Sequence, residues 1–151
     1  GAGLILDGSI FRGSYGLAGE VGHMTLEENG RSCPCGNYGC WEQYSSGAEL
    51  SKLILKNDSK AVPYEDVLTE FGEKVAIGLR NLSHILDPEM IIITGGITSI
   101  GQPLLKAIQQ AYYRKISHRD NGKLTQIKIG MFGNEAGALG AALMASVQER
   151  I

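Results

Sequence analysis

Two hydrophobic patterns of different period meet in the middle of the chain. Over residues 64–86 the apolar positions Val67, Phe71, Val75, Leu79, Leu82, Ile85 and Leu86 recur every three or four residues, the spacing that lines one face of an α-helix. Asp87-Pro88 stops that pattern, and Met90, Ile91, Ile92, Ile93 and Thr94 follow as a continuous apolar run. A run of that length is expected of a strand buried on both faces. Gly95-Gly96 then turns the chain, and the rest reads as a helix over 102–116, a strand over 126–131 and a small-residue helix over 136–146. Helix, buried strand, glycine turn, helix, strand, helix is an α/β order.

The first half is less periodic. Leu4, Ile5 and Leu6 stand before Asp7-Gly8, and Ile10 and Phe11 after it, a strong hairpin signal. A glycine-rich stretch over 12–22 leads into the cysteines, and a helix is expected from Ser46 or Gly47 through Leu50, Leu53, Ile54 and Leu55. Residues 57–63 and 117–123 read as exposed loops. With 151 residues, 43% of them hydrophobic, the expectation is one domain over 1–151 around one core. A net charge of −2 with no basic stripe argues against nucleic-acid binding by this stretch. The absence of a long apolar run or a signal-peptide pattern in the sequence argues for a cytoplasmic protein with no membrane contact.

All three cysteines fall close together. Cys33, Cys35 and Cys40 follow His23 at +10, +12 and +17, a complete tetrahedral donor set for zinc. Such a site has no open position, so the metal is structural: it shapes a loop over about residues 20–45 and does not activate water. Pro34 fixes its φ, and Gly36 and Gly39 let the chain reverse between donors. Zinc at a structural site contributes on the order of 10 kcal/mol to folding, enough to order a loop with little apolar core. Two acids bracket the cluster, Glu20 before His23 and Glu42 after Cys40. Carboxylates and an imidazole held on a stiffened loop suit recognition of several neighbouring hydroxyls, as on a sugar. Trp41 and Tyr44 offer faces for stacking on a sugar, with Trp41 read first as a buried anchor for the loop. His84 in the long helix and His118 in a polar segment read as packing or solvated residues.

The run Gly13-Ser14-Tyr15-Gly16-Leu17-Ala18-Gly19-Glu20-Val21-Gly22-His23, followed by Cys33-Pro34-Cys35-Gly36-Asn37-Tyr38-Gly39-Cys40-Trp41-Glu42, resembles the signature of the ROK family of bacterial sugar kinases and sugar-responsive repressors. The resemblance implies the C-terminal lobe of an actin-like, ribonuclease-H-like fold with an inserted zinc loop. It implies zinc on His23, Cys33, Cys35 and Cys40, and sugar hydroxyls on Glu20, His23 and Glu42. His23 then serves both, through different ring nitrogens. Gly95 and Gly96 resemble the turn that lets a nucleotide approach the backbone, and Gly137 opens a stretch resembling the small-residue helix near the adenine. Family members commonly associate as homodimers.

The family's kinases also carry an N-terminal lobe with a phosphate loop and a catalytic Asp. None of Asp7, Asp58, Asp66, Asp87 and Asp120 stands in the buried Asn-Asp context that base requires. The expectation is therefore a lobe of a longer parent, inactive alone, since phosphoryl transfer needs metal, phosphate clamp and base together. Two readings follow. One is the sugar lobe of an ATP-dependent hexose kinase using ATP and Mg²⁺; the retained Gly95-Gly96 turn and the 137–142 stretch favour it. The other is the effector domain of a xylose- or N-acetylglucosamine-repressor-like regulator. The ligand is a monosaccharide in both: a hexose, an N-acetylhexosamine or xylose. A zinc ribbon serving a protein or nucleic acid would leave Glu20 and Glu42 without a role.

Overall fold

The structure is a computed structural model that describes residues 1–58, 62–116 and 124–148. The elements run β1 (Leu4–Leu6), β2 (Ser9–Phe11), α1 (Glu42–Ser45), α2 (Gly47–Asp58), α3 (Tyr64–Leu86), β3 (Met90–Ile93), α4 (Gln102–Lys115), β4 (Gln126–Ile129) and α5 (Ala136–Gln148). This is the expected α/β order. The strands form two separate pairs: an antiparallel β1–β2 hairpin and a parallel β3–β4 pair joined through α4.

Local chemistry accounts for the ends of these elements. Asp7 and Gly8 both take positive φ, at 51° and 75°, the backbone of the tight primed turn whose twist suits a two-residue hairpin loop. Helix α3 begins after Pro63, carries Glu65 and Asp66 in its first turn, and ends on Asp87 in the left-handed region. The Asp87 N–H closes onto the Ser83 carbonyl at 3.1 Å before Pro88 prevents continuation. Asn57 and Asp58, expected in a loop, instead close α2; no Gly or Pro lies between Gly47 and Pro63 to stop that helix earlier. The other loop residues of that expectation, 59–61 and 117–123, with His118 and Asp120 among them, lie outside the described residues.

The core sits where α3 crosses α4. Phe71, Val75 and Leu79 pack with Leu104, Ile108, Ala111 and Tyr112. Gly72 lets the helices touch, because a Cβ there would lie 2.9 Å from the Ala107 carbonyl carbon. The buried Ser83 and Tyr112 hydroxyls satisfy each other at 2.6 Å. The paired sheet lays Ile91, Ile93, Ile127 and Ile129 against this core.

The expectation that β3 is buried on both faces is corrected. Met90 is 38% exposed and Ile92 58% exposed, because the helices cover only one face of the two-stranded sheet. The hairpin is similarly open, with Ile5, Ile10 and Phe11 exposed. No described helix is long and apolar enough to cross a membrane.

Candidate metal and ligand site

After the hairpin the chain returns toward its own start. The Ala2 N–H donates to the Gly19 carbonyl at 2.7 Å, and Gly19 must be glycine because a Cβ would lie 1.9 Å from the Ala2 oxygen. A single turn of 3₁₀ helix over Val21–His23 follows. It puts Glu20 and His23 on one side, three residues apart.

The loop beyond His23 is closed by backbone pairing. Trp41 N–H donates to Met24 O at 2.8 Å and Leu26 N–H to Gly39 O at 2.7 Å. Inside that clasp, Cys33 N–H donates to Asn37 O at 2.9 Å and Gly36 N–H to Cys33 O at 3.0 Å, making the tight turn around Pro34. Gly39, at φ 70°, presses on the segment opposite; a Cβ there would fall 1.7 Å from the Glu27 carbonyl oxygen.

This backbone gathers the donors. One ligand atom from each of His23, Cys33, Cys35 and Cys40 lies within 4.8 Å of the others. His23 Nδ1 is 3.6 Å from Cys33 Sγ, and Cys35 Sγ is 3.6 Å from Cys40 Sγ. A tetrahedral zinc with its usual bond lengths spaces such donors about 3.5–3.8 Å apart, so the residues present fit the metal. The Cys35 N–H on its sulfur, then the neighbouring thiols and His23, lower Cys33 to about 7. Burial, then the adjacent thiols, pushes Cys40 up to about 12.

The acids meet the same imidazole. Glu20 Oε2 is 3.8 Å from His23 Nε2, and Glu42 Oε2 is 4.0 Å from His23 Nδ1. Both carboxylates are exposed, so the trio Glu20, His23 and Glu42 forms one polar surface over the donor cluster.

Trp41 is the anchor expected of it, 8% exposed, with its indole N–H on the Lys74 carbonyl at 3.0 Å. Tyr44 is not a stacking face for a ligand. It is buried, its ring lies between the Arg31 guanidinium at 4.7 Å and the Lys74 ammonium at 5.3 Å, and its hydroxyl accepts the Arg31 N–H at 2.8 Å. Arg31 also pairs with Glu49, and Lys74 with Glu27; the Lys74 hydrogen bond is the main reason the Glu27 carboxyl titrates lower than usual. Sequence reasoning passed over Arg31, Glu49 and Lys74, because isolated charges outside a motif read as solvated. His84 is exposed, beside Arg80 on the same helix.

Gly95 and Gly96, expected near a nucleotide, meet the segment that follows β4. Gly95 follows β3, and its N–H donates to Gly133 O at 3.3 Å; a Cβ on Gly96 would lie 3.2 Å from Asn134 Oδ1. Gly137 lies in the first turn of α5 with open space where a Cβ would sit. This cluster stands at the carboxyl ends of the parallel strands, where open α/β sheets take their ligands. Gly47, at the start of α2, also approaches this region: a Cβ there would lie 2.8 Å from Ile97 Cγ2.

The chain is similar to known proteins in sequence and in fold. The chain is 32% identical to a xylose repressor of Bacillus spizizenii over 93% of its length, and 28% identical to a glucokinase of Streptomyces coelicolor over 96%. It spans 40% and 56% of those proteins. It superposes with a TM-score of 0.84 and 26% identity on the ROK family glucokinase from Streptomyces griseus in complex with glucose and AMPPNP, covering 94% of this chain and 55% of that one. The ROK family model itself matches residues 1–148, and the chain belongs to the ROK family.

Proposed function

We propose that this chain is the sugar-binding, C-terminal lobe of an ATP-dependent hexose kinase of actin-like fold. The observation that carries the reading is the trio at the metal loop: an imidazole with a carboxylate near each ring nitrogen, at 3.8 and 4.0 Å, all open to solvent. Glu20 and Glu42 accept from sugar hydroxyls, and the His23 nitrogen not turned to the thiols adds a third polar contact. His23, Cys33, Cys35 and Cys40 hold the zinc. When bound, that ion supplies cross-linking of the loop and no activated water, since its four positions are filled. Gly95, Gly96 and Gly137 leave room for the nucleotide to lie against backbone, with Mg²⁺ accompanying the ATP. The general base and the phosphate loop belong to the other lobe of the parent.

A second reading has support of its own. The similarity to a xylose repressor is as strong as that to a glucokinase. In that reading the same trio binds the sugar as an effector that shifts the regulator between DNA-competent and incompetent states. Sugar-dependent ADP release by the full-length protein, tested against glucose, mannose, N-acetylglucosamine, N-acetylmannosamine, fructose and xylose, separates the two. Turnover abolished by Glu42→Ala supports the kinase. Sugar binding that needs Glu42, without turnover, supports the regulator.

A further inference from the structure

One side chain reaches a metal donor from the protein's interior side of the loop without being a donor itself. The Gln43 side-chain amide donates to Cys33 Sγ at 3.4 Å. The residue that makes this contact is itself fixed at two points. Its backbone N–H donates to the Cys40 carbonyl at 3.0 Å. Its carbonyl accepts Arg31 Nη1 at 2.7 Å, and Arg31 is in turn held by the Glu49 carboxylate and by the Tyr44 ring. Glu49 is largely buried near the start of α2. The contact therefore continues an ordered chain from Glu49 through Arg31 and Gln43 to Cys33, and joins the donor on one arm of the loop to the arm that carries Cys40 and Glu42.

Resting on the metal reading above, we propose that Gln43 is a positioning residue of the metal centre, holding the Cys33 sulfur in its coordinating orientation while Arg31 and Glu49 hold Gln43. An N–H directed at a thiolate draws off some of its negative charge and fixes which lone pair faces the ion. Partners of this kind change metal affinity by about 10–100-fold when removed. Glu42 is adjacent in sequence, so the same contact keeps its carboxylate registered against His23.

The test uses the full-length protein with zinc alone and, separately, cobalt alone. Gln43→Met keeps the side-chain length and loses the donor, and Gln43→Ala is the second variant. Chelator competition is expected to show zinc held about 10–100-fold less tightly in both. The thiolate-to-cobalt absorption band is expected to move to lower energy, as the Cys33 sulfur becomes more electron-rich; a merely structural role would not move it. Arg31→Lys, which keeps the charge but not the fork, should give part of the same shift. Unchanged zinc affinity with an unshifted cobalt band, in variants that still carry one metal per chain, overturns the proposal and leaves the metal reading intact. A wild-type protein that takes up no stoichiometric metal overturns both.

Discussion

The Trp41 indole fills the space that a side chain at Gly78 would need: a Cβ there would lie 2.0 Å from Trp41 Cε2. Trp41 stands between the donor Cys40 and the acid Glu42, and Gly78 lies in the third turn from the end of the longest helix. The loop is thus seated on the core by the Trp41 ring in the Gly78 notch, with Val21, Met24 and Leu26 also packed against the core. Gly78→Ala should destabilise the fold by about 1–3 kcal/mol, the usual range for overpacking, and should loosen the loop with it. Equilibrium denaturation, with bound zinc measured alongside, checks both effects.

In the zinc-bound state proposed above, the metal cross-links the loop and adds to its order. Chelation of zinc, or Cys40→Ser, should lower the melting temperature by on the order of 10 °C while the α3–α4 core keeps its helical circular dichroism. Metal analysis should find one zinc per chain before chelation. An unchanged melting curve after complete metal removal would contradict this assignment.

An acid titration reports on the joint between the two core helices. Glu73 of α3 pairs with Lys115 at 2.6 Å and with Arg114, and the Lys115 hydrogen bond foremost holds its carboxyl below the ordinary value of 4.5. A carboxylate with a depressed folded-state pKa stabilises the fold above its unfolded value, and that contribution is lost as pH falls through the lower folded value. Glu73→Gln should therefore flatten the decline of stability below about pH 4.5 and lower stability at neutral pH by a small amount, as expected of a partly exposed pair. Urea denaturation between pH 3 and 7 reads this directly.

Much of this fold was legible in the residue pattern, and the failures have definite causes. Helix α3 and the hairpin carried both period and stop signals, Asp87-Pro88 and Asp7-Gly8, and both form where those signals point. Strand β3 was recognised but its surroundings were not: a run of isoleucines reads alike whether one face or two are covered, and Met90 and Ile92 are exposed. The four residues that the spacing singled out, His23, Cys33, Cys35 and Cys40, do come together, with one ligand atom of each within 4.8 Å of the others. Tyr44 was misjudged because its burial depends on Arg31 and Lys74, which reach it from 13 and 30 residues away in sequence, and no local pattern records such a meeting. The Gly78 notch was not legible either, because Trp41, which fills it, stands 37 residues earlier in the sequence.

The nucleotide assignment separates from the sugar assignment by mutation. Gly96→Val would drive a side chain toward Asn134, and should weaken ATP binding by the full-length protein at least about tenfold, the scale of one lost close contact. Sugar affinity should be unchanged, because the trio lies on the metal loop. Fluorescent nucleotide titration beside sugar calorimetry measures the two independently.

Whether Glu20, His23 and Glu42 read a sugar is measured by calorimetric titration of the monosaccharide panel into full-length wild-type and Glu42→Ala protein. One sugar should bind per chain, with an affinity reduced about 10–100-fold by Glu42→Ala, as for a lost hydrogen bond to a charged group, at unchanged zinc content. Equal sugar affinity in the two proteins would contradict that role.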